Sequence, residues 1–164
     1  MEVRNIICLL MLITLSACGG DDAASPAKPE AKALTAATLG EQKVLSVAEY
    51  LASPPYQAAD PARGQQQAQL CRACHTLEPV GVNMIGPNLH GFFGARAGSR
   101  QGFDYSDALR EADFAWTPRA LDAWLKAPGS FLPGNKMTFG GVSYEGDRAD
   151  LIAYLLVATE MDNQ

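Results

Sequence analysis

The sequence predicts an all-α domain whose helices are joined by long loops. Two helix starts carry the same signal, at Asp60-Pro61 and Thr117-Pro118, where a capping side chain precedes proline at the first helical position. Between Gly81 and Gly102 glycines are frequent and periodicity is weak, which favours a loop. A last helix is expected to start near Asp147. It carries an apolar stripe with helical spacing, formed by Leu151, Ile152, Leu155 and Leu156.

The first 17 residues have the three-part pattern of an export signal. A short start contains Arg4, residues 6–15 are almost wholly apolar, and small residues precede Cys18. The apolar run is shorter than the ~20 residues that a membrane-spanning helix needs. Residues 15–18, Leu-Ser-Ala-Cys, resemble the lipobox of bacterial lipoproteins, in which the cysteine is lipidated. We therefore expect residues 1–17 to be a lipoprotein signal peptide, with ordinary cleavage or no cleavage as the alternative.

Composition divides the remaining chain into three parts. Residues 18–40, rich in Ala, Pro, Gly, Ser and Asp, are predicted to be the lipidated cysteine and a flexible tether. Residues 41–60 form an extra N-terminal segment, where apolar residues between Val44 and Leu51 indicate a short helix. Residues 61–164 form the main domain. The formal net charge of −5 argues against nucleic acid as a partner, and one domain of this size is expected to be a monomer.

The strongest chemical motif is Cys71-Arg72-Ala73-Cys74-His75, a C-x-x-C-H pattern that is typical of covalent haem attachment. Two thiols about one helical turn apart can each add to a vinyl group of one haem, and His75 then lies under the iron as an axial ligand. The alternatives are a redox dithiol, half of a zinc site or a small disulfide. Without a second cysteine pair the zinc alternative is weak, and the adjacent histidine favours haem c.

The second axial ligand is predicted to be Met137, because Pro133 and Gly134 shape the loop that precedes it. The alternative is a methionine that fills a gap in the core. His90, the only other histidine, is expected to be structural, although bis-histidine ligation or a second metal site would also use it.

These motifs together resemble class I cytochrome c of the mitochondrial and alphaproteobacterial type. The resemblance covers about residues 61–159 and implies the cytochrome c fold, with helices and long loops wrapped around one covalently bound haem. Beyond the attachment motif, it rests on residues 86–91 (Gly-Pro-Asn-Leu-His-Gly), residues 105–108 (Tyr-Ser-Asp-Ala), Trp116, the loop 133–137 and residues 148–155.

The resemblance also implies roles in the haem environment. The carbonyl of Pro87 would accept a hydrogen bond from His75 and fix its ring. Tyr105 and Trp116 would donate hydrogen bonds to the haem propionates. Asn135 stands where many members have threonine near a buried water.

Two further positions depart from the family pattern. Ala95 stands where many members have an arginine near a propionate, and Arg96 one position later is as easily a solvent-facing side chain. Gly64 fits a close crossing of the first and last helices, but Ala68 replaces an aromatic residue there. The crossing is therefore expected to be looser or to be filled differently.

Ligation by histidine and thioether leaves no open coordination position, so the sequence predicts an electron-transfer protein without catalytic residues. It would act in a respiratory chain between membrane redox complexes, from a quinol-oxidising complex to a terminal oxidase or reductase. Its expected location is the periplasmic side of a bacterial membrane, the inner more than the outer. Only Lys126 and Lys136 follow Glu49, so strong steering toward an acidic partner is not expected. The alternatives are a haem enzyme or gas or peroxide sensor with a displaceable methionine, and the electron-accepting subunit of a dehydrogenase.

Overall fold

Helices and loops make up the part of the chain that the computed structural model describes, residues 35–161. The predicted signal peptide, Cys18 and most of the predicted tether lie outside these residues. The described helices are α1 (Val47–Leu51), α2 (Pro61–Arg72), α3 (Asp107–Glu111), α4 (Pro118–Lys126), α5 (Pro128–Phe131) and α6 (Glu145–Ala158), with 3₁₀ turns at Ala36–Thr38 and Tyr56–Ala58. Residues 35–161 contain no strand beyond an isolated bridge between Arg96 and Ala115, and no helix among them is long and apolar enough to cross a membrane.

Side-chain caps begin two of the three helices whose starts the sequence predicts. The Asp60 carboxylate accepts hydrogen bonds from the amides of Ala62 and Arg63 at 2.9 and 3.3 Å, and Pro61 is the first residue of α2. The Thr117 hydroxyl accepts one from the Ala120 amide at 3.2 Å at the start of α4. Because both signals are local, the sequence was enough to locate them.

The last helix begins at Glu145, two residues before the predicted start at Asp147. Its N-cap is Tyr144, whose side chain makes no capping hydrogen bond, so no cap residue marks the start in the sequence. Glu145 and Asp147 lie in the first turn, where carboxylates interact favourably with the positive end of the helix dipole.

Helices α2 and α6 cross closely at Gly64. A Cβ atom there would lie 2.7 Å from the carbonyl carbon of Asp150 and 2.8 Å from the Cβ of Tyr154. Ala68, one turn later, is fully buried. The crossing is therefore close rather than loose. The buried carboxylate of Asp150 reinforces it, because it accepts a hydrogen bond from the Asp60 amide at 2.6 Å.

Four aromatic rings form a closed cycle in the core. Each ring contacts the next in the order Phe114, Trp116, Trp124, Phe131, and Phe131 contacts Phe114 again. The distances between ring centroids are 4.9, 5.4, 6.0 and 5.4 Å in that order, and the interplanar angles are 80–87°. Such edge-to-face pairs each contribute about 0.5–1.5 kcal/mol beyond the burial of apolar area. The cycle ties the segment 114–116 to α4 and α5.

The N-terminal segment packs on the main domain. Leu39, which lies within the predicted tether, is 1% exposed and belongs to the core. Gln42 accepts a hydrogen bond from the hydroxyl of Thr117. Helix α1 begins at Val47 because Ser46 and Glu49 form a capping box, so it is shorter than the apolar spacing from Val44 suggested.

Candidate functional site

The two cysteines of the attachment motif lie at the end of α2. The amides of Cys74 and His75 donate to the carbonyl of Cys71 at 3.0 and 2.9 Å, which continues the turn past the last helical residue. Cys71 and Cys74 are free thiols and are partly buried. Burial raises the pKa of Cys71. The two thiols therefore lie one turn apart at the end of α2, where both can reach one haem.

His75 is held by the backbone of the opposite loop. Its Nδ1 lies 2.7 Å from the carbonyl oxygen of Pro87, which fixes Nδ1 as the donor and leaves Nε2 as the lone-pair nitrogen. Burial lowers the pKa of His75, and the hydrogen bond to Pro87 partly offsets this effect. The ring is thus biased toward the neutral form that binds metals.

Gly86 makes this approach possible. A Cβ atom at this position would lie 2.6 Å from Nδ1 and 2.7 Å from Nε2 of His75, closer than van der Waals contact allows. The Gly86 amide donates to the carbonyl of Cys74 at 2.8 Å. The loop therefore lies directly against the histidine ring, and a glycine is needed there.

A network that the sequence analysis missed holds this loop in place. The amide group of Asn88, a buried residue, donates to the Thr76 hydroxyl at 2.7 Å and to the carbonyl of Glu78 at 3.0 Å. The Thr76 hydroxyl donates to the carbonyl of Val82 at 2.7 Å. The side-chain oxygen of Asn83 accepts a hydrogen bond from the backbone amide of Asn88 at 2.9 Å. The signal for Asn88 was its position in the Gly-Pro-Asn-Leu motif, whereas its partners are set by the loop conformation.

Asn135 organises the loop that carries Met137. Its amide group donates to the carbonyls of Pro128 and Leu132 at 3.0 and 2.8 Å, and its side-chain oxygen accepts from the Met137 amide at 2.9 Å. Gly134 has φ +86°, a left-handed conformation that favours glycine. The Met137 side chain packs against the core. The structure thus gives Asn135 backbone partners.

Arg148 supports the chain that follows this loop. Its side chain is only 6% exposed, and its Nε lies 2.7 Å from the carboxylate of Asp122 on α4. Its Nη1 donates to the carbonyls of Val142 and Ser143 at 3.0 and 2.9 Å. One guanidinium therefore joins α6, α4 and the segment after Met137. Sequence analysis gave no role to this arginine.

The predicted propionate residues lie on either side of α3, Tyr105 before it and Trp116 between α3 and α4. Tyr105 is half-buried, packs edge-to-face on Phe103 at 4.9 Å, and its pKa is raised by burial. Trp116 belongs to the aromatic cycle. The guanidinium of Arg96 donates a hydrogen bond to the backbone carbonyl of Arg110 at 3.3 Å.

The guanidinium of Arg100 donates a hydrogen bond to the carbonyl oxygen of His90. Within residues 35–161, no group of three His, Cys, Asp or Glu side chains is arranged to hold a separate metal ion. Hydrogen bonds join six of the predicted site residues in two groups, and Tyr105 and Trp116 belong to neither. The first is Cys71, Cys74, His75 and Pro87, and the second is Asn135 and Met137.

These residues fit a covalently attached haem. A cavity of about 250 Å³ adjoins Cys71, and most of its lining is apolar, including Phe139, Val142 and Leu151. Two cysteine thiols, an imidazole with its Nδ1 already engaged, and a thioether on a loop fixed by hydrogen bonds form a suitable donor set.

The chain is similar to several proteins of known kind. Cytochrome c2 of Rhodomicrobium vannielii is 38% identical over 124 residues, which is 76% of this chain and 94% of the relative. Cytochrome c2 of Blastochloris viridis is 40% identical over 101 residues, or 62% of this chain and 80% of the relative. Cytochrome c of Chlamydomonas reinhardtii is 45% identical over 103 residues, or 62% of this chain and 92% of the relative. No family model matches the chain.

Proposed function

Because the chain belongs to the class I cytochrome c family, alphaproteobacterial type, we propose that it shuttles single electrons between membrane redox complexes. Proteins of this family carry one covalently attached haem c and are electron carriers rather than enzymes. The proposed donor is a quinol-oxidising complex, and the proposed acceptor is a terminal oxidase or reductase. The observation that carries this proposal is the engagement of His75 Nδ1 by Pro87 beside two free thiols.

We assign Cys71 and Cys74 to the two thioether bonds and His75 Nε2 and Met137 Sδ to the axial positions. When bound, haem c supplies an iron that takes up and releases one electron. Methionine as an axial ligand raises the reduction potential relative to a second histidine, and two protein ligands leave no open position for a substrate. This arrangement favours electron transfer over catalysis.

The protein residues keep the ligands in one geometry. Pro87 fixes the ring of His75, and Asn135 fixes the backbone at Met137. The aromatic cycle fills part of the core, and most of the side chains that line the cavity at Cys71 are apolar. Ligands held in this way change little between redox states, which lowers the reorganisation that electron transfer requires.

We further propose that Cys18 is lipidated and holds the protein on the periplasmic side of the membrane, the inner more than the outer. Two or more acyl chains give a stable anchor, whereas one gives marginal binding. Leu39 is in the core, so the proposed tether shortens to residues 19–34. Sixteen residues span at most about 55 Å when fully extended. Such a tether raises the effective concentration of the cytochrome at nearby complexes.

The test uses membranes from a strain that lacks the gene. We expect purified full-length holoprotein to be reduced when quinol is added and to be reoxidised through the terminal enzyme. The Cys18→Ser protein should appear in the soluble fraction and should need at least about tenfold more protein for the same rate, because effective concentration is lost. Failure to react with these membranes would contradict the proposal. Reduction only in the presence of a co-purifying dehydrogenase would instead identify an electron-accepting subunit.

A further inference from the structure

Exposed apolar side chains concentrate on both sides of the attachment motif. Five of the nine exposed large hydrophobic residues in the described chain lie between positions 70 and 85. Scattered apolar side chains are ordinary on a protein surface, but a cluster marks an interaction site. We call this set the apolar rim: Leu70 (68% exposed), Val80 (95%), Val82 (69%), Met84 (47%) and Ile85 (78%).

The rim is fixed to the candidate haem site. Leu70 directly precedes Cys71 and lines the same cavity. On the other side, the Thr76 hydroxyl donates to the carbonyl of Val82 at 2.7 Å, and the amide of Met84 donates to the carbonyl of Gly86 at 2.8 Å. Gly86 is in turn bonded to Cys74. Leu70 therefore lies on α2 directly before the motif, and the other four apolar side chains lie on a loop that hydrogen bonds join to Thr76 and, through Gly86, to Cys74.

The charged side chains at positions 70–85 cancel. Residues 79–85 contain no charged side chain. The two charged residues at its border, Arg72 and Glu78, form an ion pair with each other at 2.5 Å. Lys136, one of the few lysines in the domain, pairs with Asp104 at 3.2 Å. An acidic partner would find no unpaired lysine or arginine at positions 70–85.

We infer that the apolar rim docks an uncharged, apolar surface around the electron-entry site of a redox partner protein. This inference rests on the proposed function, because it specifies how the carrier meets its partner. Binding would come from burial of apolar area and would depend weakly on ionic strength. Five side chains make a small contact, in keeping with transient electron-transfer complexes and below the ~1,200–2,000 Å² of stable interfaces.

Two other occupants fit this surface less well. A second copy of the chain would need a larger apolar face to form a stable dimer. An anionic lipid surface would need unpaired basic residues beside the rim, whereas Arg72 is paired with Glu78.

The experiment compares full-length holoprotein carrying Val80→Ser and Ile85→Ser together with the parent and with Val157→Ser. Val157 is a comparably exposed apolar residue on α6 and serves as the matched control. Electron transfer from the reduced proteins to membranes of the gene-deficient strain is followed from low to high ionic strength. Hexacyanoferrate, a small acceptor that needs no protein interface, is the second probe.

We expect the double variant to lose about tenfold in rate with membranes, equivalent to ~1.4 kcal/mol. Its rate with hexacyanoferrate should match the parent, the control should match the parent with both acceptors, and the parent should vary little with salt. An unchanged rate in the double variant, or an equal loss in the control, would overturn the inference. The inference would also be overturned if the parent formed a dimer that dissociates in the double variant. It would be overturned, too, if Cys18→Ser protein bound vesicles and the Val80→Ser and Ile85→Ser substitutions abolished that binding. A parent that does not react with membranes at all would instead contradict the proposed function, and the inference with it.

Discussion

The Nδ1 atom of His75 lies 2.7 Å from the carbonyl oxygen of Pro87, and Gly86 leaves the space that this contact needs. The hydrogen bond selects the tautomer with Nε2 free. The preceding residue determines how closely the loop approaches the ring. The orientation of the proposed iron ligand is therefore set by backbone of the loop rather than by another side chain.

Gly86→Ala is expected to disturb the histidine. The added methyl group would overlap the ring, and overpacking of this kind costs about 1–3 kcal/mol. We expect a lower free energy of unfolding, measured by denaturant titration, and a lower yield of covalently attached haem. Gly129→Ala is the matched control, because no atom lies within 4 Å of its Cβ position. Parent-like stability and haem content in Gly86→Ala would contradict this account.

Gly64→Ala tests the crossing of α2 and α6. The methyl group would overlap the backbone of Asp150 and the side chain of Tyr154, so the helices must separate. We expect a loss of about 1–3 kcal/mol in the free energy of unfolding. In the control, Gly146→Ala, the nearest atoms lie at 3.7 and 3.8 Å, and alanine is the better helix former. The control should match or exceed the parent. Equal stability of both variants would show that the crossing can open without cost.

Asn135→Ala tests the support of Met137. The variant loses two hydrogen bonds to backbone carbonyls and one from the Met137 amide, at a cost of about 1–3 kcal/mol. We expect the reduced holoprotein to bind carbon monoxide more readily, because the methionine is less firmly held. Lys136→Ala removes an exposed neighbouring side chain and should behave like the parent. If the variant bound carbon monoxide no more readily than the parent, Asn135 would not be needed to hold Met137 as a ligand.

Leu39→Ala tests whether the N-terminal segment is part of the fold. Leu39 is 1% exposed, and truncation of a buried leucine costs about 2–5 kcal/mol. Val44 is half-exposed, so Val44→Ala should cost far less. Thermal and denaturant unfolding of the two variants gives the comparison. If Leu39→Ala were no more destabilised than Val44→Ala, the segment would contribute little to the stability of the domain.

Local signals explain what could be predicted from the sequence. The attachment motif and the caps at Asp60 and Thr117 each depend on residues that are neighbours in the chain. They can therefore be recognised without knowledge of the fold. The α6 start was misplaced because Tyr144 provides no capping side chain. Helices α3 and α5 span five and four residues, too few for periodicity to indicate them.

Long-range contacts explain the rest. Leu39 lies in a stretch of mostly alanine and threonine with no clear periodicity, and only its packing on the folded domain reveals it as core. Arg148 and Asp122 are 26 positions apart, and their pairing depends on the arrangement of α4 and α6. The partners of Asn135 are mostly backbone carbonyls. Their direction is set by the conformation of the loop, so it cannot be predicted from the identity of the residues.

The most direct test of the central claim is the visible spectrum of the oxidised holoprotein, together with the response of the reduced protein to carbon monoxide. We predict a sulfur-to-iron charge-transfer band in the parent and no binding of carbon monoxide. Met137→Ala should lose the band and bind carbon monoxide, whereas Met84→Ala, which removes a half-exposed methionine, should keep the parent's behaviour. A parent without the band that binds carbon monoxide readily would contradict ligation by Met137 and the closed site on which electron transfer rests.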